Sequence, residues 1–256
     1  MKKILILLIM LLLLVPTTSF AAGTKKSKVG YVGLTYETKD NFIIKSKLFY
    51  PSQKKAVYPV VIFLHSIGYS SEYWGSIVKD FVNSGVAVVL VDLRGHGQSM
   101  YYSSFKISSW QYFSQKTFAK YPVDVVDIIK YIRMNYKDIS QSKYAIVGAD
   151  IGANTAILAA EKLSPKPKAL VLLSPSRNFK GLYTPISMTN LGATPILTAI
   201  SARDTYSRNE AYTLKKFAQG PYIIKSYPSG GMGMLMLKVN PTMGSDIRNF
   251  VLPKLK

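Results

Sequence analysis

Tyr144-Ala145-Ile146-Val147-Gly148-Ala149-Asp150-Ile151-Gly152 decides how the chain is read. A short apolar run ends in a glycine, an acid follows, and a second glycine opens a stretch carrying Ala153, Ala156, Ala159 and Ala160. The apolar run has the length of a buried strand, and the small residues suit a helix packed close against it. Asp150 then falls on a sharp strand-to-helix turn.

Outward from that turn, strands and helices alternate. Val60 to Leu64 and Val86 to Val91 are continuous apolar runs, as in the middle of a parallel sheet covered on both faces. Val29 to Thr35 and Phe42 to Tyr50 read as a hairpin turning at Lys39-Asp40-Asn41, placed at a sheet edge. Ser71 and Glu72 open a helix expected to bury Tyr73, Trp74, Ile77, Val78 and Phe81, closed by Gly85. Pro122 opens another with the stripe Val125, Val126, Ile129 and Ile132. Beyond the Asp150 helix come strands at Ala169 to Leu173, Pro195 to Ser201 and Tyr222 to Ser226. Helices are expected from about Asn209 to Phe217 and from about Pro241. The pattern describes an α/β protein with a mostly parallel sheet.

Met1-Lys2-Lys3, twelve apolar residues from Ile4 to Val15, and Ser19-Phe20-Ala21 have the form of a secretory leader. Twelve residues are too few to span a bilayer as a helix. The expectation is therefore a signal peptide over 1–21, a flexible basic segment over 22–28, and one domain over 29–256. The protein would be exported, periplasmic or extracellular, with no transmembrane span once cut. The chain has no cysteine, which excludes disulfides, thiolate metal sites and a thiol nucleophile. Its formal charge is +20; without Lys2 and Lys3, 31 bases face 13 acids, or +18. The bases are scattered and show no aromatic-spaced stripe, so sequence-specific nucleic-acid binding is not expected. The charge reads first as a solvated surface; an unknown small molecule or an anionic envelope component is the competing reading as a partner. Two His and 13 acids form no metal cluster by spacing, and Gly95-His96-Gly97 is not a dinucleotide fingerprint. Neither a metal nor a cofactor is expected.

Six segments, each just past a strand end, then form an ordered set. They are Leu64-His65-Ser66-Ile67-Gly68, Asp92-Leu93-Arg94-Gly95-His96-Gly97-Gln98-Ser99, Gly148 to Gly152, Leu173-Ser174-Pro175, Ser201-Ala202-Arg203-Asp204 and Gly230-Gly231-Met232-Gly233. In this order the chain resembles the α/β-hydrolase superfamily, and within it the small secreted dienelactone hydrolase-like serine hydrolases. The resemblance implies an α/β-hydrolase fold with helices on both faces and no large cap, since only Ser174 to Thr194 is free to form one. It implies an oxyanion region at Ser66, Ile67 and Ile151, a structural turn at Asp92, Arg94, Gly95 and His96, and the acid at Asp204. It places Asp150 where the family has its nucleophilic Ser and Met232 where the family has its His.

Those departures fall on one machine. A Ser–His–Asp set works because the base takes the nucleophile's proton and the acid orients the base. With Asp150 and Met232 in place, Asp204 has nothing to orient. The resemblance therefore points to a catalytically degenerate member with a binding or structural role. The alternative is a rewired hydrolase using Asp150 as nucleophile, as haloalkane dehalogenases and epoxide hydrolases do, or Asp150 with Asp204 as a carboxylate pair. Retained esterase-like activity through a neighbouring residue is a third reading. His65 and His96 are expected to be structural. Two carboxylates facing one pocket should repel, and burial should raise at least one pKa.

Overall fold

A computed structural model describes residues 30–228 and 230–256. The expected leader and basic segment lie outside the described residues. The strands are β1 (Tyr31–Glu37), β2 (Phe42–Phe49), β3 (Tyr58–Leu64), β4 (Ala87–Val91), β5 (Tyr101–Tyr102), β6 (Ile139–Ala149), β7 (Ala169–Leu173), β8 (Asn178–Phe179), β9 (Leu182–Tyr183), β10 (Ile196–Ser201) and β11 (Tyr222–Tyr227). The helices are α1 (Ser76–Asn83), α2 (Gln115–Phe118), α3 (Tyr121–Asn135), α4 (Ile151–Lys162), α5 (Pro185–Thr189), α6 (Thr205–Lys215), α7 (Leu235–Val239) and α8 (Met243–Val251).

The main sheet runs β1-β2-β4-β3-β6-β7-β10-β11, with β5 added beside β2. From β4 to β11 all neighbours are parallel, whereas β1, β2 and β4 pair antiparallel. The expected edge hairpin is present, and the strands read as continuous apolar runs lie in the interior of the sheet. Every residue of β4 and β7 is buried. Helices α3 and α4 pack one face through Val125, Ile129, Ile151 and Ala156. Helices α1 and α8 pack the other through Ile77, Phe81, Ile247 and Val251. The short β8–β9 hairpin and α5 occupy the segment after β7, so no cap domain forms there.

The first helix differs from its expected form. Ser71–Trp74 is a 3-10 turn, and Gly75, with φ 57°, breaks it from α1. The break rotates Tyr73 outward, so it is 64% exposed instead of buried, while Trp74 and Ile77 remain in the core. Helix α6 begins at Thr205, ahead of the expected Asn209, because Asp204 caps it.

The Asp92–Ser99 turn anchors the sheet's upper edge. Asp92 accepts from the Ser71 and Gln98 amides at 2.8 and 2.9 Å. Arg94 is buried and forms a paired contact with Asp124 of α3, Nε and Nη2 each at 2.8 Å. It also reaches Asp40 in the β1–β2 turn at 2.8 and 2.9 Å. These contacts hold the guanidinium in its charged form against burial, which alone would lower its pKa.

Candidate functional site

The elbow is a backbone device. Asp150 has φ 54° and ψ −115°, outside the comfortable regions for an L side chain. Gly152 permits the turn, because a Cβ there would collide with the Leu64 carbonyl oxygen of β3. The Asp150 amide is tied to the Leu173 carbonyl at 2.8 Å, which fixes the turn against β7.

The Asp150 carboxylate does not stand free. Its Oδ2 accepts a hydrogen bond from the Ile67 amide at 3.1 Å. The amides of Ile67 and Ile151 both favour the ionised form, but burial prevails and raises the pKa to about 6. Repulsion from Asp204 is not among the causes of the rise. In a hydrolase of this construction, the amide after the nucleophile and one from the loop after β3 receive the oxyanion. Here the elbow residue presents its own oxygen to the amide from the loop after β3.

The loop around Met232 closes over the same place. Gly233 has φ 54°, and a Cβ on it would collide with Ser66 Oγ and lie 3.1 Å from the Asp150 Cβ. Its amide donates to Ser174 Oγ at 3.0 Å. The Met234 amide donates to Ser66 Oγ at 3.1 Å, while the Ser66 amide lies 3.4 Å from the Met234 sulfur. Met232 is half-buried, whereas Met234 and Met236 are buried in the core. Ser174 carries φ 51°, another strained non-glycine residue. Ser174, Gly233 and Met234 are the participants that sequence reasoning missed as site residues. The pairing of their loops depends on hydroxyls and amides that no local pattern marks.

Asp204 stands just past β10 and serves as the N-cap of α6. Its carboxylate accepts from the Ser207 amide at 3.1 Å and from the Ser207 hydroxyl at 2.5 Å.

Both histidines are buried and committed on both ring nitrogens. His65 Nε2 accepts from the Leu93 amide at 2.9 Å, which leaves Nδ1–H to donate to the Ser66 carbonyl at 2.8 Å. His96 Nε2 accepts from the Gly68 amide at 3.1 Å, and Nδ1–H donates to the Arg94 carbonyl at 3.1 Å. The rings lie 4.9 Å apart, and Trp110 stacks on His96 at 5.5 Å. Burial lowers the pKa of both, that of His96 to about 3. Two neutral imidazoles therefore hold the backbone on either side of Ile67. Among the described residues no group of three or more potential ligands is arranged for a metal. No helix among them is long and apolar enough to cross a membrane.

The family model for the alpha/beta hydrolase fold matches residues 59–200. Among solved structures, a dienelactone hydrolase from Anabaena variabilis ATCC 29413 superposes with a TM-score of 0.65 at 13% identity, covering 86% of this chain and 94% of that one. A thermostable carboxyl esterase from Bacillus coagulans, in complex with glycerol, gives 0.69 at 13% identity, with 89% and 99% covered. Acetyl xylan esterase 1 from Thermoanaerobacterium sp. JW/SL YS485 gives 0.69 at 16%, with 88% and 83% covered. No curated protein matches the sequence. With its elbow after β6, its loop after β3 and a family match spanning more than half its length, the chain belongs to the α/β-hydrolase family.

Proposed function

We propose that this protein is an exported, non-hydrolysing member of the family, with a binding or structural role in place of turnover. The observation that carries the reading is the 3.1 Å hydrogen bond from the Ile67 amide to Asp150 Oδ2. An oxyanion hole accelerates acyl transfer by receiving charge that develops in the transition state. A hole already holding a carboxylate has no such charge left to receive. The Gly233–Met234 loop, fastened by Ser66 and Ser174, supports the reading further by closing over the elbow.

The elbow itself favours one rival. Asp150 stands at the nucleophile's position and, with a pKa of about 6, is largely ionised at neutral pH. An ester formed on it would need a general base for its hydrolysis. The chain has two His, and both rings have each nitrogen engaged.

The test is a panel of p-nitrophenyl esters, alkyl halides and epoxides, with intact-mass measurement after each incubation and Asp150→Asn alongside. The expected result is no turnover above that variant and no adduct. An adduct on Asp150, or turnover that Asp150→Asn abolishes, would overturn the proposal. Export is tested separately, by N-terminal sequencing of the chain recovered from a secreting host. Cleavage after Ala21 is expected, and an intact Met1 in the exported fraction would count against it.

A further inference from the structure

The connection from β4 to α3 carries a tip that packing does not explain. Strand β5 pairs with Phe42 and Ile43 of β2, and Tyr101 forms an antiparallel bridge with Ile107. Their side chains therefore share one face. Between them the chain turns tightly, with the Phe105 amide on the Tyr102 carbonyl at 2.9 Å and the Tyr102 amide on the Lys106 carbonyl at 3.0 Å. Phe105 has φ 61°, a left-handed conformation in which a bulky L residue is an outlier. Yet Phe105 is 87% exposed, Ile107 62% and Tyr101 46%. An aromatic residue held in a strained turn while burying almost nothing points to function outside the core.

Charge surrounds this tip. Lys106 lies within it and is exposed. Exposed Lys39 belongs to the adjoining β1–β2 turn, which the Ser103 amide joins through the Asn41 carbonyl at 2.8 Å. The acid of that turn, Asp40, is taken up by Arg94 and Lys120. Glu37, at the end of β1, is the exposed acid that remains in the hairpin. The whole chain, with 33 bases against 13 acids, adds a field of the same sign.

We propose that the Tyr101–Ile107 tip is an interfacial anchor for an anionic lipid surface. Phe105 and Ile107 enter the headgroup–acyl boundary, Tyr101 sits at headgroup level, and Lys106 and Lys39 face the lipid phosphates. Apolar insertion and electrostatic attraction together give stable attachment where neither suffices alone. The proposal goes beyond the question of hydrolysis and involves none of the loops around Asp150.

The experiment is cosedimentation of the protein with phosphatidylcholine vesicles and with phosphatidylcholine–phosphatidylglycerol vesicles. Binding to the anionic vesicles is expected to exceed that to neutral ones by roughly tenfold or more and to fall in about 0.5 M salt. The double variant Phe105→Ser/Ile107→Ser is expected to lose roughly tenfold or more, with an unchanged circular dichroism spectrum and melt. Phe105→Trp should retain binding and show a blue-shifted emission only with anionic vesicles. Absence of binding would overturn the proposal, as would anionic-vesicle binding that the double variant leaves intact. Lipid-independent self-association that the double variant abolishes would assign the tip to a second copy of the chain instead.

Discussion

His96 Nε2 accepts the amide hydrogen of Gly68 at 3.1 Å, and Gly68 follows Ile67, whose own amide holds Asp150. A histidine in the turn after β4 thus positions the donor that meets the elbow residue after β6. Replacing His96 with Ala should leave the Gly68 N–H unpaired, take one of two donors from the Arg94 carbonyl, which keeps the Tyr121 hydroxyl at 2.7 Å, and remove the ring under Trp110. The expected cost is about 2–4 kcal/mol, measured by urea unfolding. A variant as stable as the parent would mean that water or a rearranged loop replaces the ring.

Acid should destabilise the fold through the same pair. The folded-state pKa of each His lies below its usual 6.5, so their stability is present above that value and is lost as pH falls, for His96 down to about 3. Each contributes a slope of up to about 1.4 kcal/mol per pH unit in that window. Urea midpoints measured from about pH 7 to about pH 4 should fall, and His96→Ala should flatten the curve. A flat profile in the parent would contradict neutral, buried imidazoles.

Asp150 works in the opposite sense. Its folded pKa is raised from 3.8 to about 6, so its contribution to stability is fully present below 3.8 and is lost as pH rises through 6. Asp150→Asn should therefore be more stable than the parent by about 1–3 kcal/mol near pH 7, with the gap closing near pH 4. Paired denaturation curves across that range provide the check, and a gap independent of pH would defeat the account.

Arg94→Met should be severe. It leaves the Asp124 carboxylate, 6% exposed, without its guanidinium. About 3–5 kcal/mol is the expected loss, and the double change with Asp124→Leu should recover most of it. Equal stability of the single and double variants would show that the pair is not coupled.

The interior strands were legible because burial on both faces removes the polar alternation that confuses shorter elements. The glycines around Asp150 marked the elbow, since close approach leaves them little chemical freedom. Tyr73 was not legible in that way. Periodicity carried a single helix through Gly75, where the backbone in fact breaks and turns the tyrosine to solvent. Asp204 carried one meaning in the sequence, that of the family acid, and the Ser207 amide reveals its use as a helix cap. The bond between Ile67 and Asp150 joins residues 83 apart. It exists because β3 and β6 lie side by side, with Leu64 opposite Gly148. No local window contains that relation, nor the serine hydroxyls that fasten the loop at Gly233.

The contact between Ile67 and Asp150 also sets a direction on change at position 150. Asp150 accepts the Ile67 amide hydrogen, which a serine hydroxyl, shorter and uncharged, would leave without that acceptor. Each unmet buried donor costs about 1–3 kcal/mol. Placing serine there by one substitution would relieve a buried charge and orphan that donor in the same step. A change toward serine at this position thus carries a cost in folding.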